Sequence, residues 1–433
     1  MEDITLYKDP ESEIISVSES EDDKNNSFIS LQTKSNTQMQ YTFKCIRTLE
    51  DIGNFKDTLL QMAKNRDEPN MVQHNIEYLK FQVSQGASNS RPLLCVLYEN
   101  DFPVIITLGE IETVEMSPSI TYFKLRMIKF RKICYHIYPF AVFGKYDSPG
   151  YSKLFINMFF ENLRKENIDY IFFNLLRGKT AFSSDLLNIK NPLIREVVPN
   201  YEKHFILKVP ESLESFLATK DSKNRYTLKK VIKKLESEYK GKHSVRVFEK
   251  EEEVEKCFED IEIIAKKSQL RAINVGFKPT EDELKEKKWL AKNGYFRTYI
   301  LYLNDLPVSY MSGTNYERHF LIEFLGFDLT YEKMRVGRYL QLKLIEDIAQ
   351  AKCADFIDFG FGGDSYKKEM STTREDEIRL KTYLPKSSNI VFIITISLSS
   401  IINRWTRKLL KKTQLYEKVR KLIRLMSLKK VRS

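Results

Sequence analysis

The stretch FGFGGDSYKKEM, residues 359–370, places a carboxylate, a phenol and two ammonium groups directly behind three glycines. Asp364 could accept a proton, Tyr366 could give one, and Lys367 could polarise a carbonyl or pair with a phosphate. Gly360, Gly362 and Gly363 suit a backbone that takes a positive φ or lets a ligand approach closely. The same residues would equally suit a glycine turn whose polar groups are solvated.

Two further stretches could carry chemistry. In FDLTYEKMRVGRYL, residues 327–340, a strand runs into a basic loop and then a helix that opens near Gly337, with Arg335 and Arg338 close by. First-turn N–H groups and two guanidinium groups at one point could cradle a pyrophosphate, or form an ordinary strand-to-helix turn. In DSKNRYTLKKVIKKLES, residues 221–237, Leu228, Val231, Ile232 and Leu235 make a buried helical face while Lys229, Lys230, Lys233 and Lys234 point outward. Arg225 falls on the inward face near the helix start, where a cation is disfavoured, so an anionic partner or a structural ion pair is expected there. The five cysteines and five histidines are dispersed. No metal-ligand spacing stands out, so no metal is expected, and no cysteine or serine has an activating histidine placed by sequence.

These residues need elements to position them, and the chain repeats its own pattern. RPLLCVLYENDFPVIIT (residues 91–107) parallels FRTYILYLNDLPVSYMSG (296–313), each a strand, an Asn-Asp turn and a second strand. Downstream, residues 151–174 parallel 337–360 as helix then buried strand; in the second copy Leu340, Leu344, Ile345 and Ile348 form the apolar stripe. The front of each copy matches as well, with strands at 41–46 and 204–209 and helices at 49–63, 71–83 and from Ser222. The expectation is an α/β chain with mixed, α+β-type sheets flanked by helices. Its expected parts are a disordered acidic arm (1–39), two similar domains (40–207 and 208–372) and an apolar then basic helical extension (373–433).

The order SKNRYTLKKVIKKLE, hairpin, FLGFDLTYEKMRVGRYL, helix, DFGFGGDSYKKEM resembles the GNAT-superfamily acyltransferases of the CelD-like branch, double-GNAT proteins related to the Fem peptidyltransferases. The resemblance covers residues 41 to about 372. It implies two tandem GNAT-like domains packed side by side, with acetyl-CoA or a longer acyl-CoA held around Arg335, Val336, Gly337, Arg338 and Tyr339. It also implies an active cleft at Tyr366, Lys367 and Asp364, with Arg225, Lys229, Gly362 and Gly363 toward the acceptor, a small amino or hydroxyl compound or a cell-envelope precursor. The family's small-Pro-Gly before the helix is RVG here, while SPG stands at 148–150 in the first copy; its Gly-Asp is Gly362-Gly363 here, with the acid at 364.

Charge separates the competing functions. From Arg404 to Ser433 there are 12 Lys or Arg against Glu417 alone, leaving 70 − 12 = 58 basic and 59 − 1 = 58 acidic residues elsewhere. A neutral body speaks against nucleic acid as a partner, and so against the alternative of a Fem-like aminoacyl-tRNA user. The retained Gly337, Tyr366 and Lys367 speak against the other alternative, a non-catalytic binding module. No signal peptide is visible, single cysteines suit a reducing compartment, and the apolar run 390–402 falls short of the roughly 20 residues needed to span a bilayer. A cytoplasmic chain is expected. Leu415, Val419, Leu422 and Met426 among the tail's cations would suit a helix lying on an anionic membrane, or one docked on the body.

Overall fold

The structure, a computed structural model, describes residues 14–21, 27–33, 40–64, 69–85, 90–120, 125–126, 128–272, 276–362, 365–384 and 386–412. These fall into two compact units: the first runs to Lys203 and resumes at Glu375–Leu409, and the second includes His204–Arg374.

The chain begins with β1 (Ile14–Glu21), β2 (Ser27–Thr33) and β3 (Gln40–Ile46), then α1 (Leu49–Gly53), α2 (Lys56–Lys64) and α3 (Ile76–Ser84). Next come β4 (Arg91–Glu99), β5 (Phe102–Met116), the short β6 (Ser119–Ile120) and β7 (Leu125–Arg126), β8 (Phe130–Gly144), α4 (Pro149–Lys165), β9 (Tyr170–Arg177) and α5 (Ala181–Asn188). β10 (Asn200–Lys208) carries the chain into the second unit, through α6 (Leu213–Ala218), α7 (Ser222–Glu238), β11 (His243–Phe248), α8 (Val254–Lys266), α9 (Gln269–Ala272) and α10 (Glu281–Lys292). There follow β12 (Phe296–Leu303), β13 (Leu306–Tyr316), β14 (His319–Phe327), α11 (Val336–Ala351), β15 (Phe356–Phe361) and α12 (Ser365–Met370). β16 (Thr373–Tyr383) and α13 (Ile390–Lys412) return to the first unit.

Strand order is β1-β2-β3-β4-β5-β8-β9-β16 in the first unit and β10-β15-β14-β13-β12-β11 in the second. Among the described residues each contains one parallel pair, β8 with β9 and β14 with β15, and each such pair is joined by a crossover helix, α4 or α11. The two hairpins anticipated from the sequence, β4–β5 and β12–β13, turn at Asn100-Asp101 and Asn304-Asp305, all four with positive φ, the conformation that matches strand twist. On α11 the stripe Leu340, Leu344, Ile345 and Ile348 is buried in the core of the second unit.

Three expectations need correction. Ile14–Glu21 and Ser27–Thr33, taken as disordered, pair antiparallel beside β3; Ile, Val, Phe and Leu within them favour strand despite the surrounding acids. Residues 373–383 do not open a helical extension but form β16, antiparallel to β9, with Ile378, Leu380, Thr382 and Tyr383 buried. The run 390–402 does not end its helix: α13 continues to Lys412, so that Ser387–Leu410 has the length and apolar content to cross a membrane. The proposed amphipathic segment at 415–426 lies outside the described residues.

Candidate functional site

The parallel pairing of β14 and β15 ends at Leu321 and Asp358, after which β14 runs on to Phe327 and β15 to Phe361. Parted strands leave a wedge at their carboxyl ends, the place where α/β sheets bind ligands. A 3₁₀ turn (Leu329–Met334) leads from β14 to Arg335, whose φ of 54° turns the chain into α11. The Arg335 carbonyl accepts from the amides of Arg338 (2.9 Å) and Tyr339 (3.0 Å). Val336 and Gly337 precede these, and amides at that point of a helix have no intrahelical acceptor.

A pocket of about 240 Å³ opens there. Met311, Leu325 and Phe327 are among its apolar lining, and Arg335, Val336, Gly337, Arg338 and Tyr366 line it too. The wall is tight: a Cβ on Gly326 would lie 2.6 Å from the Tyr310 ring. At Gly337 a Cβ would stand 3.4 Å from Phe327, ordinary contact, so the fold itself leaves room there. Arg335 is exposed, whereas Arg338 is half-buried and donates to Glu369 and to Gln341 Oε1 (3.3 Å). Burial pulls the Arg338 guanidinium below its ordinary pKa, against the opposing charge of Glu369. Lys220 is likewise lowered, by burial first, with Glu369 opposing and Arg338 adding.

The glycine segment begins inside β15. Gly360 (φ 69°) and Gly362 (φ 120°) take the left-handed conformations that favour glycine. Lys367 Nζ donates to the Phe361 carbonyl at 2.6 Å, fastening α12 back onto the turn. Tyr366 packs against the core of the second unit while lining the pocket. Gly363 and Asp364 lie outside the described residues.

The structure thus brings five of the residues singled out in the sequence, Arg335, Val336, Gly337, Arg338 and Tyr366, to one pocket. Tyr339 goes elsewhere: it is buried in the core, its hydroxyl donating to Glu236 at 3.3 Å. Lys229 is exposed on α7. Arg225 is half-buried, donates to the Lys220 carbonyl at 3.1 Å, and keeps a buried Nε with no acceptor among the described residues.

Beneath the turn lies a cluster that the sequence did not reveal. Asp358 is fully buried; His204 Nε2 stands 2.8 Å from both its oxygens and His319 Nε2 3.1 Å from Oδ2. Asp358 Oδ1 also accepts the Gly360 amide at 2.6 Å, and the His204 ring stacks on Phe361 at 4.5 Å. Burial would raise this carboxyl, but the charges and hydrogen bonds of His204 and then His319 outweigh it and hold Asp358 well below the usual carboxylate range. The one signal in the sequence was the acid two residues before Gly360.

The corresponding place in the first unit is closed. β8 and β9 pair from Cys134–Tyr170 to Ile137–Phe173 and then part, but only about 10 Å³ remains among Phe140, Val142, Tyr146, Leu175, Leu176 and Phe182.

Residues 222–368 match the acetyltransferase (GNAT) domain family. Among solved structures the chain is similar to FemX, at 10% identity and a TM-score of 0.52, over 80% of this chain and 98% of that one. It is also similar to the tandem GNAT protein from the clavulanic acid biosynthesis pathway, at 10% identity and a TM-score of 0.46, over 80% and 99%. No curated protein matches. The likeness to FemX is one of fold.

Proposed function

From the GNAT acetyltransferase domain at residues 222–368, we propose that the second unit transfers an acyl group from an acyl-CoA to an amine or hydroxyl. The observation that carries this reading is the pocket in which a helix start with two arginines meets a phenol across an apolar wedge. The amides of Val336 and Gly337, with Arg335 and Arg338, suit a pyrophosphate. The apolar wall of Met311, Leu325 and Phe327 suits the donor's uncharged arm.

In the reaction the acceptor's nitrogen or oxygen attacks the thioester carbonyl carbon, and backbone N–H groups receive the charge that develops on the carbonyl oxygen. The carbon–sulfur bond breaks, the leaving thiolate takes its proton from Tyr366, and the acceptor's proton passes to Asp364. Lys367, bonded to the Phe361 carbonyl, keeps the glycine turn in register with Tyr366. In this reading the chain stands nearest the CelD-like branch, a cell-envelope sugar or amino compound is its acceptor, and the cytoplasm is where it meets the donor. The deciding experiment is calorimetric titration with acetyl-CoA and longer acyl-CoAs, paired with an assay of thiol release. Absence of binding across the series would overturn the reading.

A further inference from the structure

Independently of any catalytic assignment, α13 has one face too many. Its inner face is committed to the first unit: Phe392, Ile393 and Ile396 are buried with Cys134, Tyr170 and Tyr383. Just before the helix, Asn389 accepts from Lys132 Nζ at 2.7 Å and donates to the Asp169 and Leu384 carbonyls at 3.0 and 3.2 Å. The outer face should then be polar. Instead Val391, Ile394, Leu398, Ile402, Trp405 and Leu409, spaced by three or four residues along one side, are 39–66% exposed. A contiguous apolar strip of this kind on a folded unit marks a binding surface.

We infer that this outer face is the chain's contact with an anionic lipid surface, with α13 lying in the plane of the interface. Charge names the occupant. No Asp or Glu occurs in Ile390–Lys412, and Arg404, Arg407 and Lys408 are exposed along its last turns, Lys408 flanking the strip. Lys408 Nζ stands 5.7 Å over the Trp405 ring, giving the paired cation and indole that settle at headgroup level. The segment 404–433 carries twelve Lys or Arg against one Glu on a chain otherwise balanced. Ile128, Lys129 and Arg131 are exposed on either side of Phe130, whose ring meets Phe392 at 5.4 Å, so apolar and basic groups continue from the helix onto the first unit. A spanning helix would have to strip Phe392 and Ile396 from Tyr170 and Tyr383; an in-plane helix keeps them.

The test uses full-length protein with vesicles of phosphatidylcholine alone or mixed with phosphatidylglycerol. Co-sedimentation with the mixed vesicles only, weakening as salt rises, is expected. Leu398→Gln with Trp405→Gln removes exposed apolar groups and no charge, and should weaken partitioning at least about tenfold while leaving the melting transition in place. Replacing Arg404, Arg407 and Lys408 by Gln should weaken it too, and the fluorescence of Trp405, read in a Trp289→Phe background, should shift to the blue on binding. Failure to bind, or loss in the charge variant alone, overturns the proposal. So does resistance to alkaline extraction, which would mean a spanning helix, or concentration-dependent self-association without lipid that the double variant abolishes, which would give the strip to a second copy.

Discussion

The hydroxyl of Tyr366 is one small group on a ring that otherwise packs into the core and lines the pocket. Tyr366→Phe therefore keeps the ring's packing and removes the proposed proton donor. Donor affinity should hold in calorimetry while kcat falls by about 10²-fold or more, the range for losing a general acid; unchanged turnover would return the residue to a packing role. Asp358 belongs to a different class, since it touches the turn and not the pocket. It holds the Gly360 amide and answers to His204 and His319. Asp358→Asn should cost about 1–3 kcal/mol by stranding buried hydrogen-bonding partners. The sign with pH follows from its lowered folded-state pKa: the carboxylate's contribution is complete above its unfolded value of about 3.9 and is lost as pH falls below it. The melting-temperature gap between wild type and variant should be full at neutral pH and narrow below about pH 4; a constant gap would mean that only packing was lost.

Among elements, the start of α11 is where fold and function separate most cleanly. A Cβ at Gly337 meets nothing closer than 3.4 Å, so Gly337→Ala should melt like wild type, whereas Gly337→Asp should weaken acyl-CoA binding at least about tenfold by setting a negative charge against the pyrophosphate. Equal affinity in the two variants would move the donor elsewhere. That helix was legible in the sequence because its evidence is local: an apolar stripe at helical spacing, a glycine at the start, and a strand on each side. The Asn-Asp hairpins were legible for the same reason, since turn residues alone dictate their positive φ. The His204–Asp358–His319 cluster was not, because it depends on the register of three strands far apart in sequence, and each member alone looks like any buried polar residue. Nothing in the sequence marks Met311, Leu325 and Phe327, which line the pocket on the side where β14 has parted from β15. β16 was missed because its partner β9 lies some two hundred residues upstream and its first residues are charged, Arg177 answering Glu375 at 2.9 Å.

At the scale of the whole chain, two units of similar topology raise the question of how many donors bind. Both part a parallel strand pair after a few residues and both start a crossover helix near the gap, so topology alone would allow two sites. Volume decides otherwise. The second unit keeps about 240 Å³ with arginines at its mouth, while the first keeps about 10 Å³, room for roughly one water molecule, with Phe140, Leu175 and Phe182 among the side chains closing it. Opening that wedge would mean moving close-packed aromatic and aliphatic groups in an interior that resists such changes. Calorimetric titration with acyl-CoA should therefore reach saturation at one donor per chain, and Gly337→Asp should remove that single isotherm rather than one of two. A stoichiometry of two, or a second isotherm surviving in the variant, would show that the first unit opens its wedge to take a donor of its own.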